Sequence, residues 1–221
     1  MTHSPLRPDD LPETIPVFPL AGALLLPHGR LPLNIFEPRY LAMIEDALAA
    51  GRVLGMMQGD ASRPRGEHGT AIYSVGCLGR LTSFSETEDG RFLITLSGIM
   101  RFRVLEEEEM RRGYRRMRVD YNPYHHDLDP LPANESIPRE GFLAVLRPYF
   151  QHQGMDVNWE AIEKTPEAML VTTLSMLCPF AVAEKQALLE APLPADRTKM
   201  MLALMQMAMH GSDAEGGGRP S

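Results

Sequence analysis

The sequence predicts an α+β protein in two parts, a β-rich first half followed by a helical second half. Three observations carry this reading. Between Ile15 and Leu105 the apolar residues fall in short runs, several of them alternating with polar ones and bounded by glycine turn signals, the period-2 signature of strands. One cluster of prolines, Pro123, Pro130, Pro132 and Pro138, interrupts the chain once. Beyond it, apolar residues recur at helical spacing behind proline and threonine start signals.

Residues 1–12 are polar and proline-containing and are read as a flexible N-terminus. The β-rich part is expected over 13–121. It opens with Ile15-Pro16-Val17-Phe18-Pro19-Leu20 and passes through Leu24-Leu25-Leu26-Pro27. It then reaches Leu31-Pro32-Leu33-Asn34-Ile35-Phe36-Glu37-Pro38-Arg39-Tyr40. Proline fixes φ and donates no backbone hydrogen bond, so this lead is neither one helix nor a central strand; short extended segments at a sheet edge are expected. Pro38 suits the first turn of a helix, where its missing N–H costs nothing, and a helix over 38–50 would place Leu41, Ile44 and Leu48 on one face. Gly51 reads as its stop, and 53–57 as the next strand.

The runs 71–76 and 77–81 continue the strand series, their glycines predicting bulges or bends of a small barrel. Asp89-Gly90 is a turn signal between 81–84 and 92–96, which predicts a hairpin. The stretches 99–105 and 114–119 alternate and read as half-buried strands. Residues 122–137 are expected to be a linker. The helical part, 138–210, should contain a helix over 139–153 stopped by Gly154, one started by Thr165-Pro166-Glu167, one opened by Pro179 and one opened by Pro194. Residues 211–221, rich in Gly and Ser, are read as a flexible tail.

Composition narrows the function classes. With 221 residues and 44% hydrophobic side chains, the chain can bury a proper core. A net charge of −7 argues against broad attraction to phosphate backbones or anionic membranes. Cys77 and Cys178 have no metal-ligand spacing and form no small disulfide framework; a single bridge between the halves stays open, but a reduced, cytoplasmic protein without a secretory signal or membrane span is the simpler expectation. His125-His126-Asp127-Leu128-Asp129 offers metal-ligand types, but adjacent histidines in a proline-rich stretch lack the spacing that aims two ligands together; no metal and no cofactor are expected. Ser175 and Lys185 fall on separate predicted helices, which disfavours a dyad, and no catalytic residue is assigned.

The lead ending in Ile35-Phe36-Glu37-Pro38-Arg39-Tyr40 resembles the opening of the Lon protease amino-terminal (substrate-binding) domain family. So do Asp89-Gly90-Arg91 with Ile94, Gly98 and Arg101-Phe102-Arg103-Val104, and later Lys185-Gln186-Ala187-Leu188-Leu189-Glu190. These motifs come in the family's order and span roughly 13–210. The resemblance implies a PUA-like β pseudo-barrel followed by a helical bundle, and a non-enzymatic, proteolysis-related role in binding unfolded or extended polypeptide. No G-x-x-x-x-G-K-[ST] phosphate loop accompanies Lys164, Lys185 or Lys199, so the chain reads as a free-standing homologue of the substrate-handling domain, without ATPase or protease modules.

Partner-contacting candidates are Phe36, Glu37, Arg39 and Tyr40 from the sharpest motif, together with Met56 and Met57, since thioethers adapt to varied partners. The expected mechanism is an apolar groove between barrel and helices, with an unpaired strand edge adding main-chain hydrogen bonds. A nucleic-acid face is the alternative: seven arginines lie between Arg101 and Arg118, and Arg101, Arg103, Arg116 and Arg118 alternate toward one side of their strands. Glu106 to Glu109 beside them favour surface ion pairing instead. The last helix, apolar nearly all round from Met200 to Met209, must be covered by the helical part or by a second copy in a homodimer.

Overall fold

The computed structural model describes residues 7–132 and 137–215. Six strands, β1 (Thr14–Pro19), β2 (Arg30–Ile35), β3 (Val53–Met57), β4 (Val75–Glu86), β5 (Phe92–Arg111) and β6 (Tyr114–Asp120), form one sheet in the order β2-β5-β4-β3-β1-β6. Because β5 is 20 residues long, its second half also pairs with β6 and closes the sheet into a pseudo-barrel. Register shifts against β5 fall at Leu78/Gly79, where the glycine-bearing strand was expected to bulge, and at Leu81/Ser83, where no glycine marks one. Helix α1 (Pro38–Ala49) starts at Pro38 and lies over the barrel, burying Tyr40, Met43, Ile44 and Ala47. Leu41 and Leu48, expected at the centre of that stripe, lie at its margin.

Five helices follow: α2 (Arg139–His152), α3 (Trp159–Lys164), α4 (Glu167–Leu177), α5 (Val182–Glu190) and α6 (Pro194–Glu215). Phe142, Leu146, Tyr149, Phe150, Leu188 and Met205 pack the centre of this bundle. On α6, Met201, Leu202 and Met205 turn inward while Met207 faces solvent, so the bundle itself covers one side of the apolar helix.

Several expectations are corrected. The first proline-bearing strand is internal, not at an edge. Its registers explain how: Pro16 pairs only with β6, Pro19 only with β3, and Val17 alone has both neighbours, so neither ring sits where two ladders need its N–H. The edge strand is β2. The run 71–76 is mostly irregular, touching the sheet through the bridge Gly59↔Ile72 before β4 begins at Val75. α3 was not foreseen, and α5 begins three residues after Pro179. Leu11 is buried against the barrel, so the first segment docks in part; residues 1–6 lie outside the described residues. The tail expectation fails over 211–215, where α6 continues, and 216–221 lie outside the described residues.

The largest correction concerns 122–137. Asn122–Leu128 forms a 3₁₀ segment laid against β5, and its Asp127 is one half of a buried ion pair with Arg101 at 2.7 Å. Arg101 Nη1 also donates to the carbonyls of Leu189 (3.1 Å) and Ala191 (2.7 Å) at the end of α5. Lys185 Nζ donates to the carbonyls of Gly22 (2.8 Å) and Met176 (3.1 Å), and Gln186 Nε2 to that of Val75 (3.1 Å). Met176 fills the space beside Gly29, where a Cβ would stand 2.4 Å from its sulfur. Met176 and Leu189 thus join the barrel core, and the open apolar groove expected between the two parts is occupied by packing.

Candidate functional site

The surface that remains open to a chain lies at the far end of β2. This strand pairs with β5 on one side, Arg30 opposite Ser97 through Ile35 opposite Phe92, and has no strand on the other side among the described residues. The Gly98 N–H donates to the Gly29 carbonyl (2.9 Å). Strand alternation from that bond directs the main-chain groups of Leu31, Leu33 and Ile35 to β5 and those of Arg30, Pro32 and Asn34 outward. Pro32 therefore sits where it forfeits no ladder bond, and it removes one donor from the free edge, the usual way a natural edge is protected from self-pairing.

Apolar side chains collect at the same end. Phe36, directly after β2, is 62% exposed despite its size. The Arg91 guanidinium stands 5.9 Å from its ring centre, and Leu93, two residues on along β5, is also exposed on that side. Phe84 is exposed on the other face of the tip, against Phe92 at 5.0 Å between ring centres. Isolated exposed apolar residues are ordinary, but Phe36 and Leu93 together on one face at the tip of an unpaired edge are a recognisable docking geometry.

The residues singled out in the sequence separate. Phe36 does not anchor the strand end; it projects. Glu37 caps α1 without a side-chain bond to the helix main chain and instead accepts from the Arg39 side chain, Nη2 at 2.8 Å and Nε at 3.1 Å. Tyr40 is buried, its ring 4.3 Å from that of Phe18 and 4.5 Å beneath the Arg39 guanidinium, and burial pushes its phenol upward in pKa. Met56 and Met57 are core residues of the barrel and reach no surface, which removes them from the contact set. Arg39 and Tyr40 line a separate polar cleft of about 270 Å³ with Arg65, His68 and Arg115.

The arginine face is corrected in the same way. Arg101 is buried at the junction. Arg118 pairs with Glu106 (2.7 Å), Arg115 with Glu107 (2.7 Å) and Arg116 with Glu108 (3.2 Å), leaving Arg103 as the exposed member of the candidate set. Cross-strand ion pairs of this kind cancel the field a phosphate backbone would need.

Catalytic and metal chemistry find little support in these side chains. The Cys77 thiol is wholly buried and desolvation pushes it far upward, while that of Cys178 is pushed up to about 11, so both stay protonated and unreactive. Ser175 Oγ lies against the Met201 sulfur, and Lys185, held by two carbonyls, is on another helix. His126 faces Asp129 (3.1 Å), Asp127 is committed to Arg101, and no group of three His, Cys, Asp or Glu among the described residues is placed to hold a metal. No described helix is long and apolar enough to cross a membrane.

Comparison with known proteins agrees with this architecture. The family model for the ATP-dependent protease La (LON) substrate-binding domain matches residues 14–207. Lon protease 2 of Myxococcus xanthus is 22% identical over 215 residues, covering 90% of this chain and 24% of that protein. Lon protease 2 of Sorangium cellulosum is 26% identical over 211 residues, covering 92% and 26%. The chain thus spans about a quarter of the length of these relatives. The crystal structure of a Lon N-terminal domain protein from Xanthomonas campestris superimposes with a TM-score of 0.60 at 24% identity, covering 86% of this chain and 97% of that one. The N-terminal domain of Mycobacterium avium complex Lon protease gives 0.60 at 16% identity, covering 87% and 98%.

Proposed function

The chain belongs to the family of Lon substrate-binding domains, and from that premise we propose that it is a non-catalytic module that binds extended, apolar polypeptide along the free edge of β2. The observation that carries this reading is the coincidence of the unpaired edge with exposed Phe36 and Leu93. An extended segment laid beside β2 would exchange main-chain hydrogen bonds with Arg30 and Asn34 and donate to the Pro32 carbonyl, giving affinity without sequence preference. Its apolar side chains would meet Phe36 and Leu93, favouring segments that a folded protein hides. Arg91 over Phe36 keeps the aromatic face oriented. Unfolded or damaged proteins expose such segments and native ones do not.

The test is anisotropy of fluorescein-labelled β-casein, a natively extended chain, titrated with the protein and with Phe36→Asp and Leu93→Asp. Both side chains are exposed, so the fold should tolerate the changes to within about 0.5 kcal/mol. Burying an unpaired carboxylate under the bound segment should weaken binding by roughly tenfold or more, with little dependence on salt. Equal affinity for all three proteins would overturn the placement of the site.

A further inference from the structure

The junction between barrel and bundle holds a charge imbalance that the polypeptide-binding reading does not use. Arg197, on α6, is only 6% exposed. Its Nε donates to the Leu188 carbonyl (2.9 Å), and its two terminal nitrogens donate to nothing among the described residues. The carboxylate beside it is already committed: Asp127 accepts from Arg101 through Oδ1 (2.7 Å to Nη2) and Oδ2 (2.8 Å to Nε, 2.9 Å to the main-chain nitrogen). Two buried guanidiniums therefore share one carboxylate. Burial, and then repulsion from Arg101, pull Arg197 down to about 10, far below an ordinary arginine. With no protein acceptor in place among the described residues, the terminal donors of Arg197 are left to whatever enters from solvent.

Arg197 lines a narrow cleft of about 110 Å³ that opens to solvent. Arg101 and Arg197 form its base, Tyr124 a wall, and His28, His126 and Leu193 its mouth. The Arg101 guanidinium stacks 4.8 Å from the Tyr124 ring centre, which fixes its plane. His28 is held at φ +64°, the left-handed region that a non-glycine residue occupies at a cost, and its N–H donates to the Gly98 carbonyl (3.0 Å). The acidic group at the mouth, Asp129, faces His126 at 3.1 Å.

The geometry points to an oxyanion site: the cleft takes a small carboxylate or phosphate group that the free fork of Arg197 grips at its base. The missing negative charge, the planar donors and the small volume all call for one such group and exclude a bulky ligand. Because its walls come from the 3₁₀ segment, β5 and the start of α6, an occupied site would tie barrel and bundle together and stabilise the whole fold.

The test is isothermal titration of the full chain with inorganic phosphate and, separately, with acetate, at constant ionic strength set with sodium chloride. One saturable site is expected for at least one of them, with a matching rise in Tm. Phosphate alone would mark a tetrahedral ligand, acetate alone a carboxylate. Arg197→Met, close in volume and uncharged, should abolish the binding. Leu193→Glu, on the exposed mouth, should weaken it by roughly tenfold while leaving the unliganded Tm in place. Should Arg197→Met fail to fold, Leu193→Glu decides. No saturable binding of either anion, or binding that Leu193→Glu leaves intact, overturns the site.

Discussion

Replacing Asp127 by alanine should destabilise this protein more than almost any other single change in a polar residue. The side chains of Asp127 and Arg101 are 9% and 6% exposed, so solvent cannot screen the charge that would be left behind. The substitution removes the acceptor of three Arg101 donors at 2.7–2.9 Å, and leaves two guanidiniums, Arg101 and Arg197, facing one another without a counter-charge. Breaking a buried pair from one side costs about 3–5 kcal/mol. At roughly 2–4 °C per kcal/mol for a chain of this size, Tm should fall by about 6–20 °C. Equilibrium unfolding in urea, followed by circular dichroism, measures the loss directly. The double variant Arg101→Met with Asp127→Leu should recover much of it, because an apolar pair of similar volume leaves no orphaned charge. An Asp127→Ala protein within about 0.5 kcal/mol of the parent would refute the reasoning, since the 3₁₀ segment would then not be fastened by charge.

Two further outcomes follow from the barrel. Gly98→Ala would place a methyl group 1.9 Å from the Leu26 carbonyl oxygen, a backbone atom that cannot rotate away, so a loss of at least about 1–3 kcal/mol is expected in the same unfolding experiment; a parent-like midpoint would show that the 24–29 loop can retreat. Asp46 accepts from Tyr114 Oη (2.7 Å) and lies beside Arg111 and Arg112, and the Tyr114 bond above all holds its carboxyl below the usual 3.8. A depressed carboxylate contributes stability that is present above its unfolded value and is lost as pH falls through the folded one. Asp46→Asn should therefore be less stable than the parent at pH near 7, with the gap closing below pH 3.8; a gap that persists in acid would assign the effect to packing instead.

What the sequence carried was local chemistry with short reach. Pro38 marked the start of α1 because proline at the first helical position has one preferred use, and Asp89-Gly90 marked the β4–β5 turn because Gly90 does adopt positive φ (+76°). Topology was beyond it. Nothing in the residues 14–19 says that Pro16 and Pro19 each face a single ladder, so a proline-bearing strand read as an edge although it lies inside the barrel. The real edge, β2, belongs to the same proline-bearing lead, so the edge expectation fits Pro32 and fails for Pro16 and Pro19. For the candidate site the same limit applies to burial: Phe36 projects and Met56 and Met57 do not, although all three sit in apolar stretches. Phe84 and Leu93 were missed because an apolar residue in a strand is by default assigned inward.

The misreading of 122–137 has the most consequence. A cluster of prolines predicts a chain that makes no regular structure, and that inference is sound as far as main-chain bonds go. It says nothing about side chains, and here one aspartate among the prolines meets an arginine from β5 whose remaining donors reach the end of α5. Rigid, bond-poor backbone is well suited to that task, since it holds a carboxylate in place without needing a ladder of its own. The same segment borders a narrow cleft lined by a second arginine, whose one hydrogen bond among the described residues goes through Nε to the Leu188 carbonyl. The β2 edge proposed for extended chains lies at one end of the barrel, while the other end is secured to the helices by charge. A perturbation at the junction should then alter the stability of the whole chain without changing the affinity of the edge, whereas substitutions at Phe36 or Leu93 should do the reverse.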